Sequence, residues 1–236
     1  MLNSCEGKTN MILFLHGLES GPKGKKSQYL QQKFPGAIIV PDLDMSLWRP
    51  DKSNSVTRSA LYVLFGQPFL IFSNWRLLVN RAVHQSVLNC ARSALTAIEI
   101  DKVQLLCGSS WGAAVAISLV EQGLWTGHTI LLAPAIKKVI GAGLDENDIN
   151  DVFPKWCANF ISVVDSNCRS KILVLHGDKD ETIPLSDSEE FCHLTGAQLK
   201  IVKDGDHSLN RYLLQEGMLL SLITNALNTS GDSSRI

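Results

Sequence analysis

The first residues with the makings of chemistry are Gly108-Ser109-Ser110-Trp111-Gly112, a match to the pattern G-x-S-x-G. The pattern alone is modest, since roughly one chain in twelve of this length would match by chance at ordinary Gly and Ser usage. Its surroundings raise its value. It follows the apolar run VQLLC (103–107) directly and leads into AAVAISLV (113–120), the strand–turn–helix setting that a nucleophilic serine of this kind requires. A serine held on a sharp turn at the carboxyl end of a strand stands clear of its own backbone. Small flanks, here Gly108 and Gly112, let strand and helix approach closely. The backbone N–H of Trp111 then points toward a developing oxyanion at the start of a helix, where negative charge is favoured. The competing reading is a glycine-rich strand–helix turn with no chemistry.

A serine hydroxyl needs a base, and imidazole has the right proton affinity for that work. Of the six histidines, His84 lies within a long helical pattern, His128 precedes a strand and His193 ends a helix, so each reads as a surface or satisfied core residue. His207 sits in Asp204-Gly205-Asp206-His207, a polar turn after the last expected strand, and parallel sheets assemble their sites at strand carboxyl ends. The run KILVL (171–175) is followed by His176-Gly177-Asp178-Lys179-Asp180-Glu181-Thr182-Ile183-Pro184. Asp178 and Asp180 both qualify as the carboxylate that would fix the imidazole tautomer and stabilise imidazolium. A second oxyanion donor is available as the Leu18 backbone N–H in the loop His16-Gly17-Leu18-Glu19-Ser20-Gly21-Pro22. His16 itself reads as a strand-end residue tying down that loop by hydrogen bonding.

These residues need strands and helices to hold them. MILFL (11–15), AIIV (37–40), VQLLC (103–107), TILLA (129–133), KILVL (171–175) and QLKIV (198–202) read as buried strands. Residues 74–99 carry apolar positions at helical spacing, and 112–122, 186–194 and 208–227 are further helical segments. Alternating helices and unbroken apolar strands predict an α/β fold, a mostly parallel sheet covered on both faces. Residues 11–227 are expected to form one domain, with polar tails at 1–10 and 228–236. Residues 45–73 and 135–168 break the alternation and read either as insertions lying over a site, a small lid, or as peripheral helix. Within the second, Phe153, Trp156 and Phe160 suggest an apolar substrate pocket, although aromatics at helical spacing are more often core.

Composition narrows the class. The 236 residues are 45% hydrophobic and 19% charged, globular values without a disorder signature. A formal net charge of −1 argues against nucleic acid as a partner, and Lys23, Lys25 and Lys26 at the start of a helix read as a solvated face. None of the six cysteines forms a C-x-x-C pair, and the first ten residues lack signal-peptide order, so a cytoplasmic setting is expected. The longest apolar stretch, near Leu61 to Phe72, is interrupted by Gly66, Gln67 and Pro68 and falls short of a membrane span, so no transmembrane segment is expected. GPKGKKS fails the phosphate-loop pattern, with Glu19 where the first glycine belongs and Lys26 at the Ser/Thr position. Gly141-Ala142-Gly143 fails the dinucleotide pattern at Glu146. No zinc spacing is present, and neither metal nor cofactor is implied.

Taken together, three motifs resemble the α/β-hydrolase superfamily: the His-Gly loop after the first strand, the nucleophile elbow, and H-G-x-x-D-x-x-[IV]-P at 176–184. The resemblance spans about residues 11 to 227. It implies the α/β-hydrolase fold and the chain order Ser110, Asp180, His207 for nucleophile, acid and base. In that pattern the acid falls on Asp180 and the oxyanion donors on Leu18 and Trp111. The opening LFLHGLESGPKGKKSQYL is similar to small bacterial esterases that read His-Gly-Phe-x-Ser-x-Pro there. It departs from them in having Leu18 for the aromatic and a longer stretch between residues 45 and 100. The implied activity is hydrolysis of a small carboxylic ester or thioester. Alternatives are a ligand-binding module of the same fold without catalysis, or a peptidase or C–C hydrolase using the same three residues.

Overall fold

Within each strand, successive side chains point to opposite faces, and in the inner strands both sets are largely apolar. The computed structural model describes residues 11–66 and 74–232. Six strands form one sheet: β1 (Met11–Leu15), β2 (Ile38–Ile39), β3 (Val103–Ser109), β4 (His128–Leu132), β5 (Ile172–Gly177) and β6 (Gln198–Val202), in the order β2-β1-β3-β4-β5-β6. Every pairing is parallel. Each connection must therefore cross a face of the sheet, and helices make most of those crossings.

The helices are α1 (Lys25–Lys33), α2 (Val56–Gly66), α3 (Trp75–Thr96), α4 (Trp111–Glu121), α5 (Ile136–Ile140), α6 (Glu146–Val163), α7 (Ser166–Ser170), α8 (Leu185–Thr195) and α9 (Met218–Asp232). Leu13, Leu15, Leu106, Leu131 and Val174 face one core with residues of α3, α4, α6 and α8. Ile12, Phe14, Leu105, Cys107, Ile130 and Leu132 face the other, with Leu30 of α1 and Leu219 and Ile223 of α9. The period-2 alternation of the largely apolar inner strands thus yields two cores, one on each side of the sheet.

The strand order places the site. The chain passes from β1 to β2 on one side, then returns to β3 on the other side of β1 and continues outward to β6. This reversal opens a crevice beyond the carboxyl ends of β1 and β3, the usual ligand position in such sheets. His16 follows β1 there, and Ser110 follows β3.

Some expected elements differ. AIIV contributes only Ile38 and Ile39 as strand. QLKIV is the outer strand rather than a buried one, with Ile201 49% exposed, because nothing among the described residues pairs beyond β6. The expected helix 208–227 is divided into a π-helical turn, Arg211–Gln215, and α9, with Gly217 between them at φ +73, a conformation that suits glycine. Helix α9 runs on to Asp232, into what was expected to be a polar tail. The expected N-terminal tail, 1–10, the second half of the apolar stretch, within 67–73, and the end of the expected C-terminal tail, 233–236, lie outside the described residues, as does Cys5.

The described parts of the two irregular segments are tied to neighbouring helices. Asn54 Nδ2 donates to the Leu43 carbonyl at 2.7 Å and to Ser93 Oγ at 2.9 Å, tying residues 43–55 to α3. The acidic cluster near 145 starts α6: Asp145 accepts from the Asp148 N–H at 3.1 Å and pairs with Arg76 of α3 at 2.7 Å. No helix among the described residues is long and apolar enough to cross a membrane. Cys90, Cys107, Cys157, Cys168 and Cys192 are free and buried, and burial pushes the Cys90, Cys157 and Cys192 thiols up to about 12.

Candidate active site

The turn between β3 and α4 is built to hold Ser110 in a position few residues adopt. Ser110 has φ 53 and ψ −113, strained for a residue with a side chain. Its N–H donates to the Leu132 carbonyl at 2.8 Å, and its own carbonyl accepts from Ala113 at 3.1 Å and Ala135 at 3.2 Å. These bonds tie the turn to the end of β4 and offset the strain. The glycines on either side are required by contact. A Cβ on Gly108 would stand 2.6 Å from the Ala113 Cα, and one on Gly112 would run into the Leu15 and His16 carbonyl oxygens.

His207 and Asp180 come from the loops after β6 and β5, and backbone bonds lock those loops together. Lys179 N–H donates to the Gly205 carbonyl at 2.9 Å, and Asp178 N–H to Val202 at 3.2 Å. Gly177 and Gly205 touch so closely that a Cβ on Gly177 would collide with the Gly205 carbonyl. Across this junction His207 Nδ1 lies 2.7 Å from Asp180 Oδ2, and His207 Nε2 lies 3.0 Å from Ser110 Oγ. The carboxylate can only accept, so Nδ1 carries the proton and Nε2 is free to accept from the serine hydroxyl. Asp178, the other carboxylate allowed by the sequence, makes no such contact.

The Asp180 side chain is fully buried and the His207 ring about a quarter exposed. Burial alone would raise the Asp180 carboxyl. The Ile183 N–H, His207 and the Thr182 N–H outweigh it and hold the carboxyl below its ordinary range. Both N–H groups donate to Oδ1 at 2.8 Å. A further partner, His176, was not singled out by the sequence reading. Its Nε2 lies 3.1 Å from Asp180 Oδ2 and 3.0 Å from the Ile183 carbonyl, two groups that only accept, so Nε2 bears hydrogen. Its Nδ1 then accepts from Ser188 Oγ at 2.6 Å. His176 is wholly buried against the carboxylate and ties the Ile183 end of the acid loop to α8 through Ser188. Its signal was its place at the end of β5 beside the acid loop.

The loop after β1 closes the other side. His16 Nδ1 bonds the Gly17 carbonyl at 2.9 Å, and Leu43 N–H donates to Nε2 at 3.0 Å, so His16 ties down its loop as expected. Burial, against a smaller opposing effect of the Gly17 carbonyl, lowers its pKa. Gly17 passes close to the nucleophile turn: a Cβ there would sit 3.5 Å from the Ser110 Cβ. Leu18 follows, and no protein acceptor among the described residues takes its N–H. Trp111 is the first residue of α4, so its N–H lacks an intrahelical acceptor.

A cleft of about 440 Å³ opens over Ser110 and His207, walled by Leu18, Thr182, Asn210 and the start of α1. None of its lining residues comes from 45–66 or 135–168, and residues 67–73 of the first of those segments lie outside the described residues. Phe153, Trp156 and Phe160 do not reach it either. Phe153 and Phe160 are fully buried on the inner face of α6, and Trp156 stacks between them and Phe191 of α8. Their helical spacing is that of a core stripe. Lys25 and Lys26, expected on a solvated face, line the cleft instead. No group of His, Cys, Asp or Glu among the described residues is arranged to hold a metal ion.

No family model matches the chain, and no curated protein matches it. Solved structures do. A protein described as a hydrolase of the alpha/beta superfamily from Xanthomonas campestris is 22% identical, with a TM-score of 0.50 over 86% of this chain and 90% of that one. A Thermus thermophilus protein is 17% identical, with a TM-score of 0.54 over 94% and 90% of the two chains. An esterase from Pyrococcus furiosus is 14% identical, with a TM-score of 0.51 over 94% and 83%. At these identities the likeness shows the fold, which is that of the α/β-hydrolases.

Proposed function

We propose that this chain is a serine hydrolase that cleaves a carboxylic ester or thioester through an acyl-enzyme on Ser110. The observation that carries the reading is the continuous relay from Ser110 Oγ through His207 to the buried Asp180 carboxylate, at 3.0 and 2.7 Å. His207 Nε2 takes the Ser110 proton as Oγ attacks the carbonyl carbon. Asp180 stabilises the imidazolium that forms. The Leu18 and Trp111 N–H groups receive the oxyanion, a preorganised contribution that costs no reorganisation at the moment of reaction. The imidazolium then protonates the departing alcohol or thiol, leaving the acyl group on Ser110. Water, deprotonated by His207, attacks the acyl-enzyme and releases the acid. The fold of the solved relatives supports the reading, and the Pyrococcus protein among them is an esterase.

Stopped-flow hydrolysis of 4-nitrophenyl acetate tests it. An acyl-enzyme predicts a burst of 4-nitrophenolate equal to the enzyme concentration whenever deacylation is the slower step, and its loss in Ser110→Ala. Turnover that survives Ser110→Ala would place the chemistry elsewhere.

A further inference from the structure

The cleft over Ser110 carries charge that the reaction itself does not use. Lys26, in the first turn of α1, is half-buried in its wall, and Lys25 stands beside it, exposed. No hydrogen bond or ion pair among the described residues engages the Lys26 ammonium, and the two nearby carboxylates, Glu19 in the cleft wall and Asp206 next to His207 in sequence, are bonded elsewhere. Glu19 accepts from Ser46 Oγ at 2.5 Å and from the Leu47 N–H. Asp206 caps its own turn by accepting from Ser208 and the Leu209 N–H. Burial drives the Lys26 pKa down to about 8, only partly countered by the field of Asp206. A cation removed from water without a partner destabilises its site, and an anion brought to it recovers that loss.

We infer that the cleft selects esters bearing an anionic group, a carboxylate or a phosphate, which the Lys26 ammonium holds while the ester carbonyl lies at Ser110. The inference rests on the serine-hydrolase reading and names the substrate class of that same site. Lys26 acts as a specificity-determining residue. The first turn of α1 adds to the attraction, since Gly24 gives it no side-chain cap and helix starts favour negative charge. The apolar Leu18 and Phe14 and the polar Thr182, Ser208 and Asn210 make up much of the remaining wall, none of them a cation. A neutral ester would therefore leave Lys26 desolvated and unpaired, whereas an anionic one would pair it.

The test is a matched series of phenyl acetates substituted at the 4-position: methyl 4-acetoxybenzoate as the neutral reference, 4-acetoxybenzoate, and 4-acetoxyphenyl phosphate. A second pair, 4-nitrophenyl hydrogen adipate and 4-nitrophenyl hexanoate, places the charge on the acyl side. Each kcat/KM is divided by the ester's rate with hydroxide, and Ser110 occupancy is followed by fluorophosphonate labelling. The expected result is a preference of about tenfold or more for at least one anionic ester over its neutral partner, the scale of a charge-assisted hydrogen bond. The carboxylate and phosphate arms show which anion is taken. The preference should fall below about twofold in Lys26→Met, survive in Lys26→Arg, and weaken with salt. If Lys26→Met does not fold, the salt titration on the wild type and Lys26→Arg decides the matter. Labelling of Ser110 with no anionic preference, or a preference kept in Lys26→Met or insensitive to salt, overturns this inference and leaves the hydrolase reading standing. No labelling and no turnover overturns both.

Discussion

Replacing Asp180 by Asn changes one atom's chemistry and puts three hydrogen bonds in conflict. The carboxylate accepts from the Thr182 and Ile183 N–H groups at 2.8 Å each and from His207 at 2.7 Å, and His176 Nε2, bonded to the Ile183 carbonyl, lies 3.1 Å from it. A carboxamide has one accepting oxygen and one donating nitrogen. If its oxygen stays with Thr182 and Ile183, its NH2 faces two imidazole N–H groups. His207 must then move its proton to Nε2, which turns a donor toward the Ser110 hydroxyl and removes the base. If the amide turns over, the loop N–H groups lose their acceptor instead. The first arrangement should lower kcat by about 10⁴, the scale known for a wrong histidine tautomer, which is about 5.5 kcal/mol of barrier. The second should lower stability by about 3 kcal/mol through buried donors left unpaired. The assays are ester kcat/KM at neutral pH and urea unfolding as a function of pH. Folding holds the Asp180 carboxyl below its ordinary range. Its stabilisation is therefore complete above the unfolded value of ~3.9 and lost as pH falls through the lower folded value. The wild type should lose that increment on acidification, and Asp180→Asn should lack it. A variant within tenfold of wild-type activity and equal to it in stability at neutral pH would refute the argument.

Two further substitutions probe the scaffold. Gly112→Ala puts a Cβ against the Leu15 and His16 carbonyl oxygens, both backbone atoms, so α4 must shift; we expect about 1–3 kcal/mol of destabilisation, read from the urea midpoint, with activity falling as the turn moves. An unchanged midpoint would show that the close approach is not maintained in solution. Phe160→Ala should cost about 3–5 kcal/mol as a core cavity and leave acyl-chain preference as in the wild type, compared across a chain-length series of 4-nitrophenyl esters. A changed chain preference at unaltered stability would return α6 to the substrate pocket.

The parts of the fold that read cleanly from sequence are those governed by local rules. All six strands announced themselves as β-branched or leucine-rich runs, and the β3–α4 turn carried its own glycines. Ser110 and His207 were legible because strand carboxyl ends are where parallel sheets gather reactive groups. The choice between Asp178 and Asp180 was not legible from chemistry, since two residues of one type stood two positions apart. The resemblance of 176–184 to the family motif implied Asp180, and in the structure the Lys179–Gly205 backbone bond and the position of β6, both long-range, hold its loop against His207. The aromatic stripe of α6 misled for a related reason. Spacing gives the face of a helix but not what that face meets, and here it meets Phe191 rather than the cleft. Lys26 shows the converse, a charge read as solvated that the packing of α1 turns inward. His176 was hidden because its role depends on Ser188, twelve residues on in α8.

The central claim is that Ser110 is an activated nucleophile, and covalent labelling tests it most directly. Folded protein is treated with a small fluorophosphonate and its intact mass compared with that of Ser110→Ala. One adduct per chain is expected on the wild type, mapped to the peptide containing Ser110, and none on the variant. An unlabelled wild type of demonstrated folding, or equal labelling of both proteins, would contradict it.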